Sequence, residues 1–339
     1  RASNYYWLQM MGRLRPGVDL AQAEAALRGP FEQWVTPTAN DRERANLPVL
    51  RLEDGAGGPT TSGNGVRTPL GAYRPFATGE FLLGHRDEAD ELAGDGLPAR
   101  LIENGTFVVY RKLEQDVLGF RRYVSEIARR AGESPEFVAA KLMGRWQNGL
   151  PLLAANPTPA NDVAVNLNDF GYAADPNGAR CPLGAHIRRA NPRDGSGSAT
   201  LNARHRLLRR GMPYGPALPR NADSQVRDSE ARGLLFIAMN ASLERQFEYV
   251  QRHWLNDGAA ARQNRDRDPV CGAHLGPAKL VIQGDPSTER VPVICSELPR
   301  FVTTRGGEYF FMPSLSALFA LSQGSFSELQ RGAAARVQA

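Results

Sequence analysis

The residues best suited to chemistry lie in one short stretch, Cys181-Pro-Leu-Gly-Ala-His-Ile-Arg-Arg-Ala-Asn-Pro-Arg193. It holds a single histidine, His186, with Arg188, Arg189 and Arg193 close behind it. A neutral imidazole can ligate iron through one ring nitrogen. Guanidinium groups pair with carboxylates through two parallel hydrogen bonds. An iron porphyrin asks for both, an axial ligand and cations for its two propionates. The same residues would also make a histidine on a basic surface loop, and the stretch by itself leaves both readings open.

More blocks follow it along the chain. They are Asn202-Ala-Arg-His-Arg-Leu-Leu-Arg-Arg-Gly-Met-Pro-Tyr-Gly215, Arg232-Gly-Leu-Leu-Phe-Ile-Ala238, Glu244-Arg-Gln-Phe-Glu248, Trp254-Leu-Asn-Asp257 and Arg305-Gly-Gly-Glu-Tyr-Phe-Phe-Met-Pro313. Upstream stand Gly79-Glu-Phe-Leu-Leu-Gly84 and Asn104-Gly-Thr-Phe-Val-Val-Tyr-Arg-Lys-Leu-Glu-Gln-Asp116. The run from Cys181 to Arg193 resembles the proximal-haem signature of the dye-decolourising (DyP-type) peroxidases. The other blocks keep that family's order, so the resemblance covers about residues 67–325.

The resemblance implies an α+β fold, with ferredoxin-like antiparallel sheets and packed helices around a haem pocket. It implies haem b (iron protoporphyrin IX) as cofactor. The reaction would be reduction of hydrogen peroxide coupled to one-electron oxidation of small organic reductants such as dyes and phenolics. His186 would be the metal ligand, with Arg188 and Arg193 facing the propionates. Arg209 falls at the family's distal arginine position, and Leu234 and Phe236 match apolar residues of the distal pocket. For the distal acid the family carries Gly-x-x-Asp-Gly and then a proline. Arg51-Leu-Glu-Asp54-Gly55, with Pro59, keeps the Asp-Gly and the proline but has Arg51 in place of the first glycine. Asp54 is the candidate. The N-terminal half therefore reads as incomplete, and a haem-binding protein with little catalysis is the alternative.

A ligating imidazole usually gives its second N–H to a carboxylate or carbonyl. Glu244 is the candidate partner; it would equally suit a solvated charge at a helix start, where the helix dipole favours it.

Composition narrows the field. The chain has 339 residues, 42% of them hydrophobic, enough for two packed units and too apolar for disorder. The formal net charge of +5 is spread along the sequence, and no helix carries an interleaved basic and aromatic face, so no nucleic-acid partner is expected. Three cysteines without a Cys-x-x-Cys argue against a disulfide framework or a zinc site. No run of 18 apolar residues could span a membrane. The expectation is a soluble protein, cytoplasmic rather than secreted, which could form a homo-oligomer. The chain begins at Arg1 and reads as a fragment or processed product with a non-native N-terminus.

Punctuation divides the chain into a β-α segment over 1–54, a Gly-rich linker over 55–66 and a peroxidase-like domain over 67–339. Residues 5–14 read as a strand. Asp19 and Gln22 form a capping-box-like pair at the start of a helix that Gly29-Pro30 should end. Residues 1–52 resemble the periplasmic domain of an ABC-exporter permease. Helices are expected from about Glu114 to Arg130, from Ser134-Pro135, over Ser242–Trp254 and over Ser314–Leu321. Strands are expected at Gly105–Arg111, His205–Arg210, Gly233–Met239 and Tyr309–Met312, and Arg262–Asp268 reads as a polar surface loop.

Overall fold

The computed structural model describes residues 17–38, 65–68, 72–94, 96–153, 168–195, 198–218, 230–259, 266–274, 276, 278–285 and 289–324. The chain divides into two units, residues 1–60 and 61–339. In the first unit helix α1 runs over Leu20–Thr38. Its start is the expected capping box: Gln22 N–H donates to Asp19 Oδ1 at 2.8 Å, and Asp19 N–H to Gln22 Oε1 at 3.2 Å. The helix does not end at Gly29-Pro30. A proline removes one backbone donor and can bend a helix without stopping it. The expected strand over 5–14, the permease-like 47–52 and the glycines 55–64 lie outside the described residues.

The second unit is built on antiparallel pairing throughout. After a short ladder of β1 (Val66–Arg67) and β2 (Tyr73–Arg74) comes a one-turn helix α2 (Ala99–Ile102). Strands β3 (Thr106–Gln115), β4 (Leu208–Tyr214), β5 (Gly233–Asn240) and β8 (Val302–Met312) form one four-stranded sheet in the order β4-β5-β3-β8. The hairpin of β6 (Ala278–Ile282) and β7 (Val293–Leu298) stands apart from it. The α+β expectation holds.

Local signals set the helix ends. Helix α3 (Val117–Ala131) starts where Asp116 accepts the Gly119 N–H at 2.7 Å, and stops at Gly132, whose φ of 66° lies in the left-handed region that glycine enters without steric cost. Its buried face is Leu118, Val124, Ile127 and Ala128. Helix α4 (Pro135–Met143) has Ser134 as N-cap, its Oγ 3.1 Å from Phe137 N, and Pro135 in its first turn. These helices close over β6 and β7, with Val124, Phe137, Leu142, Leu280, Cys295 and Leu298 in one core. Gly144 ends α4 at φ 91°, and a Cβ there would fall 2.4 Å from Ile187. That close approach seats the short helix α5 (His186–Ala190), which carries His186, against the main core. Helix α6 (Ala199–Ala203) leads to β4. Helix α7 (Leu315–Ser322) closes the described unit, with Ser314 as its cap.

The helix expected over Ser242–Trp254 is present but winds wider than an α-helix, as two π-helical stretches, Leu243–Glu248 and Val250–Leu255. The strand expected at His205–Arg210 lies instead at Leu208–Tyr214 and runs through Pro213, which an edge strand tolerates.

Candidate haem site

His186 opens α5, and its Nδ1 lies 3.0 Å from Asp268 Oδ2 and 3.1 Å from Oδ1. The Asp268 side chain is fully buried, and its Oδ1 also accepts N–H bonds from Val270 at 2.9 Å and Cys271 at 2.8 Å. Burial pushes this carboxyl up. The His186 ring, its hydrogen bond and the two backbone N–H groups outweigh burial and bring it down to about 2. With Nδ1 engaged, Nε2 is left with no hydrogen-bond partner among the described residues, and the imidazole presents that nitrogen as a donor atom. Cys271 Sγ stands 3.7 Å from the same Nδ1.

The expectation that Glu244 holds the imidazole is corrected: the carboxylate on His186 is Asp268. Glu244 is exposed in the first turn of the π-helical stretch, where the helix dipole accounts for it. Asp268 comes from the segment read as a surface loop. Its one sequence signal is Asp268-Pro269-Val270-Cys271, in which an aspartate can accept the N–H groups two and three residues on.

The arginines after His186 do different work from that expected. Arg188 is corrected too. Its side chain is buried against Asp175 at 3.1 Å, the Cys181 carbonyl at 2.8 Å and the Asp175 carbonyl at 2.8 Å, so it faces inward rather than toward a propionate. Arg189 donates to the carbonyls of Trp254, Leu255, Asp257 and Asp266. It thereby ties α5 to the end of the π-helical stretch and to the chain two residues before Asp268, and so fixes the carboxylate beside His186. Arg193, at φ 54°, donates through one terminal nitrogen to the Asn168 and Phe170 carbonyls, with its guanidinium carbon 3.9 Å from the Phe170 ring centre.

Arg209 stands opposite Ala238 in the β4–β5 ladder, so it shares a sheet face with Ala238, Phe236 and Leu234. Arg210 pairs with Ile237 on the other face. Phe236 is half-buried and packs toward Val109, Ala238 and Phe247; Leu234 is half-buried beside Gly211. Arg209 is exposed to solvent, yet desolvation by surrounding protein lowers its pKa. A side chain with both properties lines a recess rather than the outer surface. Arg206 is pushed down to about 10 by burial and by the like charges of Arg193 and Arg209. Among the described residues neither Arg206 nor Arg209 has a carboxylate partner. An arginine stays protonated, so these charges call for an anionic ligand.

These features suit an iron porphyrin. One imidazole nitrogen is left free to take a metal, and Arg193, Arg206 and Arg209 form a group of like charges of the kind that two carboxylates would neutralise. Asp54 lies outside the described residues. Three other acids are each taken up in ion pairs: Asp87 pairs with Arg204 and Arg245, Glu80 with Arg245, and Glu88 with Arg74. Among the other histidines, His205 stacks on Tyr249 at 3.8 Å and bonds the Arg245 carbonyl, while His85 bonds Asn104.

Fold and site together define a mixed helix and antiparallel-sheet protein with a carboxylate-held imidazole and a group of arginines. Comparison with known proteins agrees. Residues 140–274 match the family model described as Dyp-type peroxidase, C-terminal. The chain is 33% identical to the multifunctional dye peroxidase DyP2 of an Amycolatopsis species, over 82% of this chain and 65% of that protein. It is 30% identical to a dye-decolorizing peroxidase of Mycetinis scorodonius, over 78% of this chain and 55% of that protein. The solved structure of the Amycolatopsis DyP2 superposes with a TM-score of 0.58 at 33% identity, covering 73% of this chain and 53% of that one. The sheet and its helices are thus those of the DyP-type, ferredoxin-like fold. The chain spans between about half and two thirds of the length of these relatives. The permease-like reading of residues 1–52 finds no support in these matches. Among the described residues no helix is long and apolar enough to cross a membrane.

Proposed function

We propose that this chain is a haem-dependent peroxidase of the DyP type. It would take haem b, reduce hydrogen peroxide and oxidise small organic molecules such as dyes and phenolics one electron at a time. The observation that carries the reading is the His186–Asp268 pair, together with an arginine-lined recess that lacks counter-charge among the described residues.

In this reading His186 Nε2 would hold the iron, and Asp268 would keep the N–H on Nδ1, fixing the tautomer and strengthening the ring as an electron donor. Arg193 and Arg206 would neutralise the propionates. Arg209 would supply a cation to stabilise the negative charge that develops on peroxide oxygen. Leu234 and Phe236 supply the apolar wall of that recess. Bound there, the iron porphyrin would supply the electron exchange with peroxide. Asp54 is the proposed group for moving the peroxide proton. The domain division at the 55–66 glycines, with the peroxidase unit beyond it, belongs to the same proposal.

The test is an absorption spectrum of the purified chain with iron protoporphyrin IX, before and after peroxide. A Soret band that His186→Ala abolishes, together with peroxide-dependent dye bleaching, is the expected result. A spectrum unchanged by His186→Ala overturns it. A Soret band without bleaching would favour a haem-binding protein with little catalysis.

A further inference from the structure

We propose that Cys271 is a positioning residue that sets how much negative charge the Asp268 carboxylate lends to the His186 ring. The inference rests on His186 being the axial ligand. The thiol donates to Asp268 Oδ1 at 3.4 Å and stands 3.7 Å from His186 Nδ1, so the sulfur touches both members of the pair. Oδ1 is the crowded oxygen. It takes His186 at 3.1 Å, Val270 N–H at 2.9 Å, Cys271 N–H at 2.8 Å and the thiol. Oδ2 faces His186 at 3.0 Å.

A carboxylate divides its charge among its donors, and each donor added at Oδ1 weakens its pull on the His186 N–H. The two backbone donors are fixed by the turn that Asp268 begins. The thiol is the only side chain besides His186 that bonds this carboxylate among the described residues. Facing a carboxylate oxygen at 3.4 Å, the S–H group serves as a weak hydrogen-bond donor. Cys271 also packs toward Val250, Trp254 and Leu255, so its volume must be separated from its proton in any test.

The test compares the full chain loaded with iron protoporphyrin IX in four forms: parent, Cys271→Ala, Cys271→Val and Cys271→Ser. The reading is the midpoint reduction potential. Ala and Val both remove the donor, one leaving a gap and one filling it. Both are expected to lower the potential, because a more anionic imidazole favours ferric iron. Ser keeps a donor and is expected to hold or raise it. Equal potentials in all four forms, or Ala and Val moving in opposite directions as a packing role requires, overturns the inference. A second reading needs no haem. The His186 Nδ1–H proton resonance of the haem-free chain is expected to move downfield in the Ala and Val forms, and no movement counts against the role of Cys271. Failure of the haem reading itself looks different: the parent takes up no porphyrin, or His186→Ala keeps the parent spectrum.

Discussion

On the α5 side of the site the chain itself meets each buried charge. Asp268 faces His186, Arg188 faces Asp175, and four backbone carbonyls hold Arg189. Arg206 and Arg209 lie near the like charge of Arg193, and no carboxylate among the described residues meets them. The residue type is the same and its role differs. Where the chain supplies the counter-charge, an arginine holds the fold together. Where no carboxylate among the described residues does so, the charge is left for solvent or a ligand to offset. The first kind builds a rigid base for the imidazole, and the second is the proposed binding surface.

Removing Arg188 should give the largest effect. Arg188→Ala leaves the Asp175 carboxylate buried without its cation, an expected loss of roughly 3–5 kcal/mol in denaturant unfolding. A shift below about 1 kcal/mol would erase the contrast between the two sides. Asp268→Asn comes next. The folded carboxyl sits at about 2, below its ordinary 3.8, so Asp268 stabilises the fold above about pH 4 and loses that contribution as pH falls toward 2. The displacement corresponds to roughly 2 kcal/mol. The Asn variant should therefore be less stable at neutral pH and should show a flatter stability profile between pH 4 and 2. A parallel profile would mean the pairing with His186 is weak.

The sign should reverse in the recess. Arg206→Met removes a desolvated charge that no carboxylate meets among the described residues, so the haem-free chain should keep its stability or gain up to about 1 kcal/mol. Its affinity for iron protoporphyrin IX should fall on the order of tenfold, about 1.4 kcal/mol, readable by porphyrin titration. A loss of folding stability like that of Arg188→Ala would place Arg206 with the structural arginines. Glu244→Gln is the smallest change. It should cost under about 0.5 kcal/mol and leave the haem spectrum alone, and a shifted spectrum would return Glu244 to the imidazole.

Much of this was legible because it is local. Asp116, Ser134 and Ser314 cap their helices through groups three residues away, and the capping box at Asp19 forms as written. The alternation in β5 puts Leu234 and Phe236 on one face, and pairing with β4 adds Arg209 to it. Other features gave no local sign. Pro30 lies within α1 because losing one donor does not end a helix, and the β6–β7 hairpin has no counterpart among the elements read from the sequence.

The amino-acid order alone picked out His186 and its arginines as one chemical unit, since their types and spacing are contiguous. It could not show that Arg188 turns inward to Asp175, because a five-residue helix is too short for periodicity to say which side chain is buried. Nor could it choose Asp268 over Glu244: that carboxylate lies 82 residues from His186, and its place depends on Arg189 gathering carbonyls from two distant segments. A contact made by chain segments far apart in sequence exists only once the core between them has formed, so it is decided by tertiary packing.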